Sequence, residues 1–217
     1  MSDVTDAVQL WAYEQPEIHP YDPRWSRRAA IECARLADLL APWANGGVEH
    51  VGSTALPGLA AKPVIDLMAR AADPGTVVAL AGERLAADGW CYVPPGLDQR
   101  PWRRFFVKPD AAGQHRIAHL HIIRAGHPRC SEQIAFRDAL RRDGELASRY
   151  EDLKRRLSAR HAGDREAYTE AKASPSPSPS RSRSHVPHPL IGFRPGSRSG
   201  GKVTRWVIWG YVSKQHR

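Results

Sequence analysis

Apolar positions first recur at helical spacing over Trp25, Ala29, Leu36, Leu40 and Trp43, while Arg24, Arg27, Arg28, Glu32 and Arg35 take the other face. Tyr21-Asp22-Pro23 marks the start, with Asp22 as cap and Pro23 at the first helical position. Asn45-Gly46-Gly47 marks the end. Two short apolar runs follow, Val48–Val51 and Val64–Met68, and both predict strands. Asp73-Pro74-Gly75 reads as a turn, then Thr76–Asp88 as a helix with Val77, Leu80, Ala81 and Leu85 inward and Gly89 as its stop. Trp90–Val93 is a further short strand, closed by Pro94-Pro95-Gly96. Arg103–Lys108 and Arg116–Arg124 alternate apolar and polar residues around a Pro109–Gly113 turn and predict a hairpin. A helix capped by Ser131 runs to Arg142 and breaks at Asp143-Gly144. The next helix carries Leu146, Tyr150, Leu153 and Leu157, and a last helical piece covers Arg165–Ala173. Helix, strands and helices in this order predict an α+β (α/β) fold built on a small mixed sheet.

The pattern stops at Ser174. SPSPSPSRSRS places Pro at alternate positions and excludes helix and central strand. The division is therefore a domain over 1–173 and a basic Ser/Pro/Arg/Gly tail over 174–217, read as disordered apart from a strand-like apolar segment, Val203–Val212. Charge sharpens this division. The net charge of +9 arises from 32 Lys and Arg against 23 acids, but eight of the bases and no acid follow Ser174. The first 173 residues are thus nearly neutral and give no electrostatic case for a nucleic-acid partner, which only the tail keeps open. No apolar run reaches the roughly 18 residues of a membrane span, and the N-terminus lacks a basic start before an apolar core. The expectation is a cytoplasmic protein with no membrane partner. Cys33, Cys91 and Cys130 are odd in number and widely spaced, which predicts reduced thiols.

The stretch densest in special residues is EHVGSTALPGLAAKPVIDLM at 49–68. With Tyr21-Asp22-Pro23-Arg24-Trp25, HLHIIR at 119–124, FRDALRR at 136–142 and YEDLKRRLS at 150–158, it resembles the GrpB family, also called UPF0157, over about residues 15–172. The resemblance implies a nucleotidyltransferase-like fold. Some members of the family are fused to dephospho-coenzyme A kinase, which implies an association with coenzyme A metabolism. The family continues as helix where this chain turns to Ser-Pro and Ser-Arg, so the tail reads as an extension or a shifted reading frame.

A nucleotidyltransferase holds phosphates at a Gly-Ser turn, which Gly52, Ser53 and Thr54 match, with Lys62 as a point charge toward the phosphates. Such a fold carries two acids two apart on the following strand to share divalent metal. Here the first is Asp66 and the second position is Met68, a poor ligand for Mg²⁺. His119 and His121 share one face of a predicted strand. With Asp66 they make a ligand set for Zn²⁺, Mn²⁺ or Fe²⁺ rather than Mg²⁺, since imidazole suits borderline metals, while the cofactor expected for the reaction is Mg²⁺ or Mn²⁺, with Zn²⁺ as the alternative. Each residue also has a structural reading. Gly52-Ser53 can be a capped turn, Asp66 a strand-end acid paired with Arg, the histidines hydrogen-bonded strand residues, and Lys62 an exposed loop lysine. Arg103, Arg104 and Lys108 can face the cleft or solvent, and Tyr150 reads as core with Lys154 at its rim. Arg137 lies on a later helix, and His50 reads as a packed strand residue. Motifs of P-loop kinases, Rossmann dehydrogenases, serine hydrolases and zincins are absent. The functional expectation is a nucleotidyl transfer to a small-molecule acceptor, with Asp66 catalytic. The alternative is a degenerate fold that binds a nucleotide or a coenzyme A-like ligand without chemistry.

Overall fold

The computed structural model describes residues 10–14, 17–98 and 100–160. Residues 1–9, the predicted helical piece Arg165–Ala173 and the whole tail lie outside them. After a short 3-10 turn at Leu10–Tyr13, the described chain forms α1 (Arg24–Leu40), β1 (Ala44–Val51) and a 3-10 turn at Ser53–Ala55. It continues through β2 (Ile65–Ala71), α2 (Pro74–Ala87), β3 (Cys91–Val93) and a single turn α3 (Pro95–Asp98). The hairpin β4 (Arg103–Pro109) and β5 (Arg116–Arg124) leads into α4 (Pro128–Arg142) and α5 (Gly144–Arg160). The fold is α+β, a mixed five-stranded sheet in the order β1-β2-β5-β4-β3 with flanking helices. Among the described strands only β2 and β5 run parallel, because α2, β3 and β4 intervene between them and carry the chain across.

Local chemistry moved several predicted boundaries. Asp73 accepts from the N–H groups of Gly75 and Thr76, so the predicted turn is the capped first turn of α2 with Pro74 inside it. Leu80 is 60% exposed rather than inward, since Pro74, Val77, Ala81 and Leu85 form the buried stripe and Leu80 falls beside it. Gly46 and Gly47 do not merely end α1, which stops at Leu40. At φ 82° and 76° they make a bulge inside β1, where the pairing with β2 shifts register. His127, not Ser131, caps α4 by accepting from the N–H of Arg129, and Ser131 bonds back to the Pro128 carbonyl inside the helix.

The two sheet faces do different work. One face packs on α1 and α2 around Trp25, Leu36, Leu40, Leu67, Leu85, Trp90, Phe106, Leu120 and Ile122. That apolar contact is what holds the sheet flat against its helices. The opposite face carries Asp66 and Met68 of β2, His119, His121 and Ile123 of β5, and Arg103, Phe105 and Val107 of β4. Trp11 packs over Phe105 and Val107 at one end. Cys130 and Ile134 of α4 join Val51, Met68 and Ile123 at the other. Between them polar side chains gather on one sheet face.

Candidate functional site

The pairing of β1, β2 and β5 builds the centre. Val51 lies opposite Asp66, and Asp66 opposite His119 in the parallel register. The chain leaves β1 at Gly52 with φ 75°, a left-handed conformation that favours glycine. A Cβ at Gly52 would stand 2.4 Å from Asp66 Oδ2, so the turn rests directly on the carboxylate. Glycine is therefore required twice at this position. Ser53 follows half-buried, its Oγ 3.5 Å from the Tyr150 hydroxyl. Thr54 is buried and its hydroxyl is engaged twice, donating to the Val64 carbonyl and sharing a hydrogen bond of 3.0 Å with His50 Nε2. Lys62 is half-buried in the loop before β2, where its carbonyl accepts from the Val64 N–H.

Asp66 is the hub. Its Oδ1 lies 2.9 Å from His119 Nδ1 and 3.6 Å from His121 Nε2. Burial works against charge on Asp66, but hydrogen bonds from His119 and then His121 outweigh it and hold the carboxyl below the usual range. His121 is buried at 4% exposure, and burial together with the Arg103 guanidinium pulls its pKa down to about 4. His50 is likewise pushed down to about 4, first by burial, with Asp66 opposing. One ligand atom each from Asp66, His119 and His121 lies within 4.8 Å of the others. The 2.9 Å contact between Asp66 Oδ1 and His119 Nδ1 is a hydrogen bond, and a divalent cation bound by both atoms would have to displace its proton. On the other side of the His121 ring, Arg103 Nη1 stands 2.6 Å from Nδ1.

The helices after the hairpin close over the turn. Arg137 bridges Glu49 and the His50 carbonyl, and Arg141 donates to the Ala55 carbonyl at 3.0 Å. Tyr150 is buried, and burial pushes its hydroxyl up to about 12 against the contact with Ser53. Lys154 was expected at the rim, yet it is 1% exposed. Its Nζ donates to the Ala60 carbonyl at 2.5 Å and stands 5.0 Å over the Tyr150 ring. Burial pulls its pKa down to about 8. On the same neighbouring residue, Glu151 accepts from the Ala60 N–H.

By sequence Arg103, Arg104 and Lys108 can each face the cleft or solvent, and the strand divides them. Arg104 and Lys108 alternate with Arg103 and so lie on the other face, where Lys108 pairs with Glu32 and Asp88. Arg103 is buried on the site face and binds Asp98 through Nε and Nη2. A signal was present, since Arg103 shares its parity with the apolar Phe105 and Val107. Asp98 itself carried none, as it ends a one-turn helix in a Pro/Gly-rich segment. Met68 sits in the apolar cluster with Val51, Ile123 and Cys130, which explains a thioether at the position where an acid was sought.

Comparison with known proteins matches this layout to one family. The family model described as GrpB protein matches residues 15–175. A UPF0157 protein of Bacillus subtilis is 31% identical over 163 residues, covering 75% of this chain and 46% of its own length. A UPF0157 protein of Pseudomonas aeruginosa is 37% identical over 160 residues, covering 72% of this chain and 62% of its own. The aligned part thus spans from about half to under two thirds of those relatives. The crystal structure of conserved protein GrpB from Enterococcus faecalis superposes with a TM-score of 0.61 at 28% identity, covering 71% of this chain and 90% of that one. With the family model matched across both the Gly-Ser turn and the histidine strand, the chain belongs to the GrpB (UPF0157) family.

Proposed function

We propose that this domain receives the phosphates of a nucleotide at the Gly52–Ser53 turn and transfers the nucleotidyl group to a hydroxyl or amine of a small-molecule acceptor. The observation that carries the reading is the contact of that turn with Asp66, where no side chain fits between backbone and carboxylate. The donors assigned to phosphate are the backbone N–H groups of Ser53 and Thr54 and the Ser53 hydroxyl. Thr54 takes part through its backbone alone, because its hydroxyl already serves Val64 and His50. Lys62, from the loop before β2, adds a positive charge toward the phosphates.

A phosphate beside an ionised Asp66 requires a cation between the two anions. Asp66 and His119 are the residues that would hold a divalent metal, Mg²⁺ or Mn²⁺, with Zn²⁺ compatible with the imidazole. Such an ion supplies charge neutralisation at the phosphate under attack. Asp66 acts here as an anchor and not as a proton acceptor, since a carboxyl held below its usual range is a weak base.

One observation favours a second reading, a module that binds a nucleotide or a coenzyme A-like ligand without chemistry. Met68 is packed in an apolar cluster, so β2 offers no second carboxylate two residues beyond Asp66. Calorimetric titration of the full chain with ATP, CTP, GTP and UTP, each with Mg²⁺ or Mn²⁺, tests what both readings share. Absence of binding in every case sinks the transfer reading and the nucleotide form of the module, and the same titration with coenzyme A tests the remainder. Pyrophosphate release that disappears in Asp66→Asn supports transfer. Nucleotide binding with no release from either form supports the module.

A further inference from the structure

The polar face of the sheet contains a buried chain of side chains longer than the proposed chemistry needs. Asp98, Arg103 and His121 are each at most 4% exposed. The Asp98 carboxylate accepts from Arg103 Nε at 2.8 Å and from Nη2. Arg103 Nη1 then stands 2.6 Å from His121 Nδ1. The His121 ring lies on Phe105, 5.1 Å between centroids and 21° between planes, with the Arg103 guanidinium 4.4 Å from the same phenyl ring. His121 Nε2 faces Asp66 Oδ1 at 3.6 Å.

Proton accounting along this chain has one solution. A guanidinium donates and never accepts, and it keeps its proton throughout the accessible pH range. His121 Nδ1 must therefore carry the lone pair, which places the ring proton on Nε2. A proton on Nδ1 would set two donors against each other at 2.6 Å in a buried site. We infer that Arg103, anchored by Asp98, is a positioning residue that fixes His121 in the Nε2–H tautomer, with that N–H facing Asp66, and removes it from the set of metal ligands. The inference rests on the reading of Asp66 as the functional carboxylate.

This arrangement divides the work of the two histidines. His119 remains with Asp66 for a cation, while His121 orients the carboxylate and delocalises its charge. A metal-binding histidine offers one nitrogen to the ion and donates from the other to an acceptor. His121 has a donor where that acceptor would stand, so the constellation of three reads as a two-residue site with a fixed third member.

The test is long-range ¹H–¹⁵N spectroscopy of histidine-labelled full-length protein, before and after addition of Zn²⁺ alone. At pH 7, His121 is expected to show one bare Nδ1 and one protonated Nε2, and to keep both on Zn²⁺ addition while a His119 nitrogen shifts. In the double variant Asp98→Asn/Arg103→Met, which removes both buried charges together, the single tautomer is expected to be lost. Circular dichroism is the check that this variant is folded. If it is not, Arg103→Lys, which keeps the ion pair, is expected to retain the tautomer. An Nδ1–H tautomer in the unsubstituted protein overturns the inference, as does an Nε2 shift on Zn²⁺ addition or a tautomer that survives in a folded double variant. Failure of nucleotidyl transfer changes none of these signals, so the two readings fail separately.

Discussion

At the scale of single residues, backbone conformation and proton placement define the site. Gly52 combines φ 75° with a contact to Asp66 that leaves no room for a methyl group. Gly52→Ala is expected to lower stability by about 1–3 kcal/mol and to weaken nucleotide binding, measured by urea unfolding and titration calorimetry. His50 makes a second case. Its folded pKa of about 4 lies below the ordinary value of 6.5 because burial disfavours the charged ring. Above pH 6.5 both states are neutral and nothing is lost. Between 6.5 and 4 the unfolded chain binds a proton that the folded chain refuses, so stability falls with pH by up to about 1.4 kcal/mol per unit. His50→Gln is expected to flatten that part of the acid limb relative to the unsubstituted protein, as read from urea midpoints at pH 4.5, 5.5 and 7. The sequence marked Asp66 as an acid inside an apolar run, and Gly52 and Ser53 through the resemblance of the surrounding block to the family. It marked Arg103 only by its parity with Phe105 and Val107 and could not mark Asp98, whose role depends on an ion pair outside both motifs.

At the scale of elements, α5 closes the site through two side chains that clamp one residue. Lys154 donates to the carbonyl of Ala60, and Glu151 accepts from its N–H. The helical spacing of Tyr150 and Lys154 placed them on one face, but depth along that face depends on where the 56–60 loop lies. Burial leaves Lys154 with a folded pKa of about 8 against an ordinary 10.5. Below pH 8 both states carry the proton and the folded chain bears the full cost of burying it. As pH rises past 8 the folded amine loses its proton while the unfolded amine keeps it, so stability increases. Lys154→Met is expected to lack this rise between pH 7.5 and 9, whatever its absolute stability, in thermal unfolding across that range. The β1 bulge shows the same limit of pattern reading: Asn45-Gly46-Gly47 is turn chemistry, yet pairing with β2 continues on both sides of it.

At the scale of the whole molecule, the mixed sheet separates stability from chemistry. Its α1/α2 face holds the larger core, and its other face holds the polar chain from Asp98 to His119. Leu120→Ala, on the core face between the two histidines, is expected to cost about 2–5 kcal/mol in urea unfolding and to leave the nucleotide affinity of the folded protein within error. A large loss of affinity in that variant would show that the faces are coupled. No helix among the described residues is long and apolar enough to cross a membrane. The sequence by itself determined the four longer helices and the five strands apart from their ends, together with the Gly-Ser turn and the parity of His119 with His121, because periodicity and turn chemistry are local properties. Only the tertiary structure decided that β2 and β5 lie side by side in parallel, which brings Asp66 to His119. It also decided that Arg103 turns inward to Asp98 and His121, and that Lys154 is buried. These contacts join residues up to 94 positions apart, and their proton states follow from burial that no local pattern encodes.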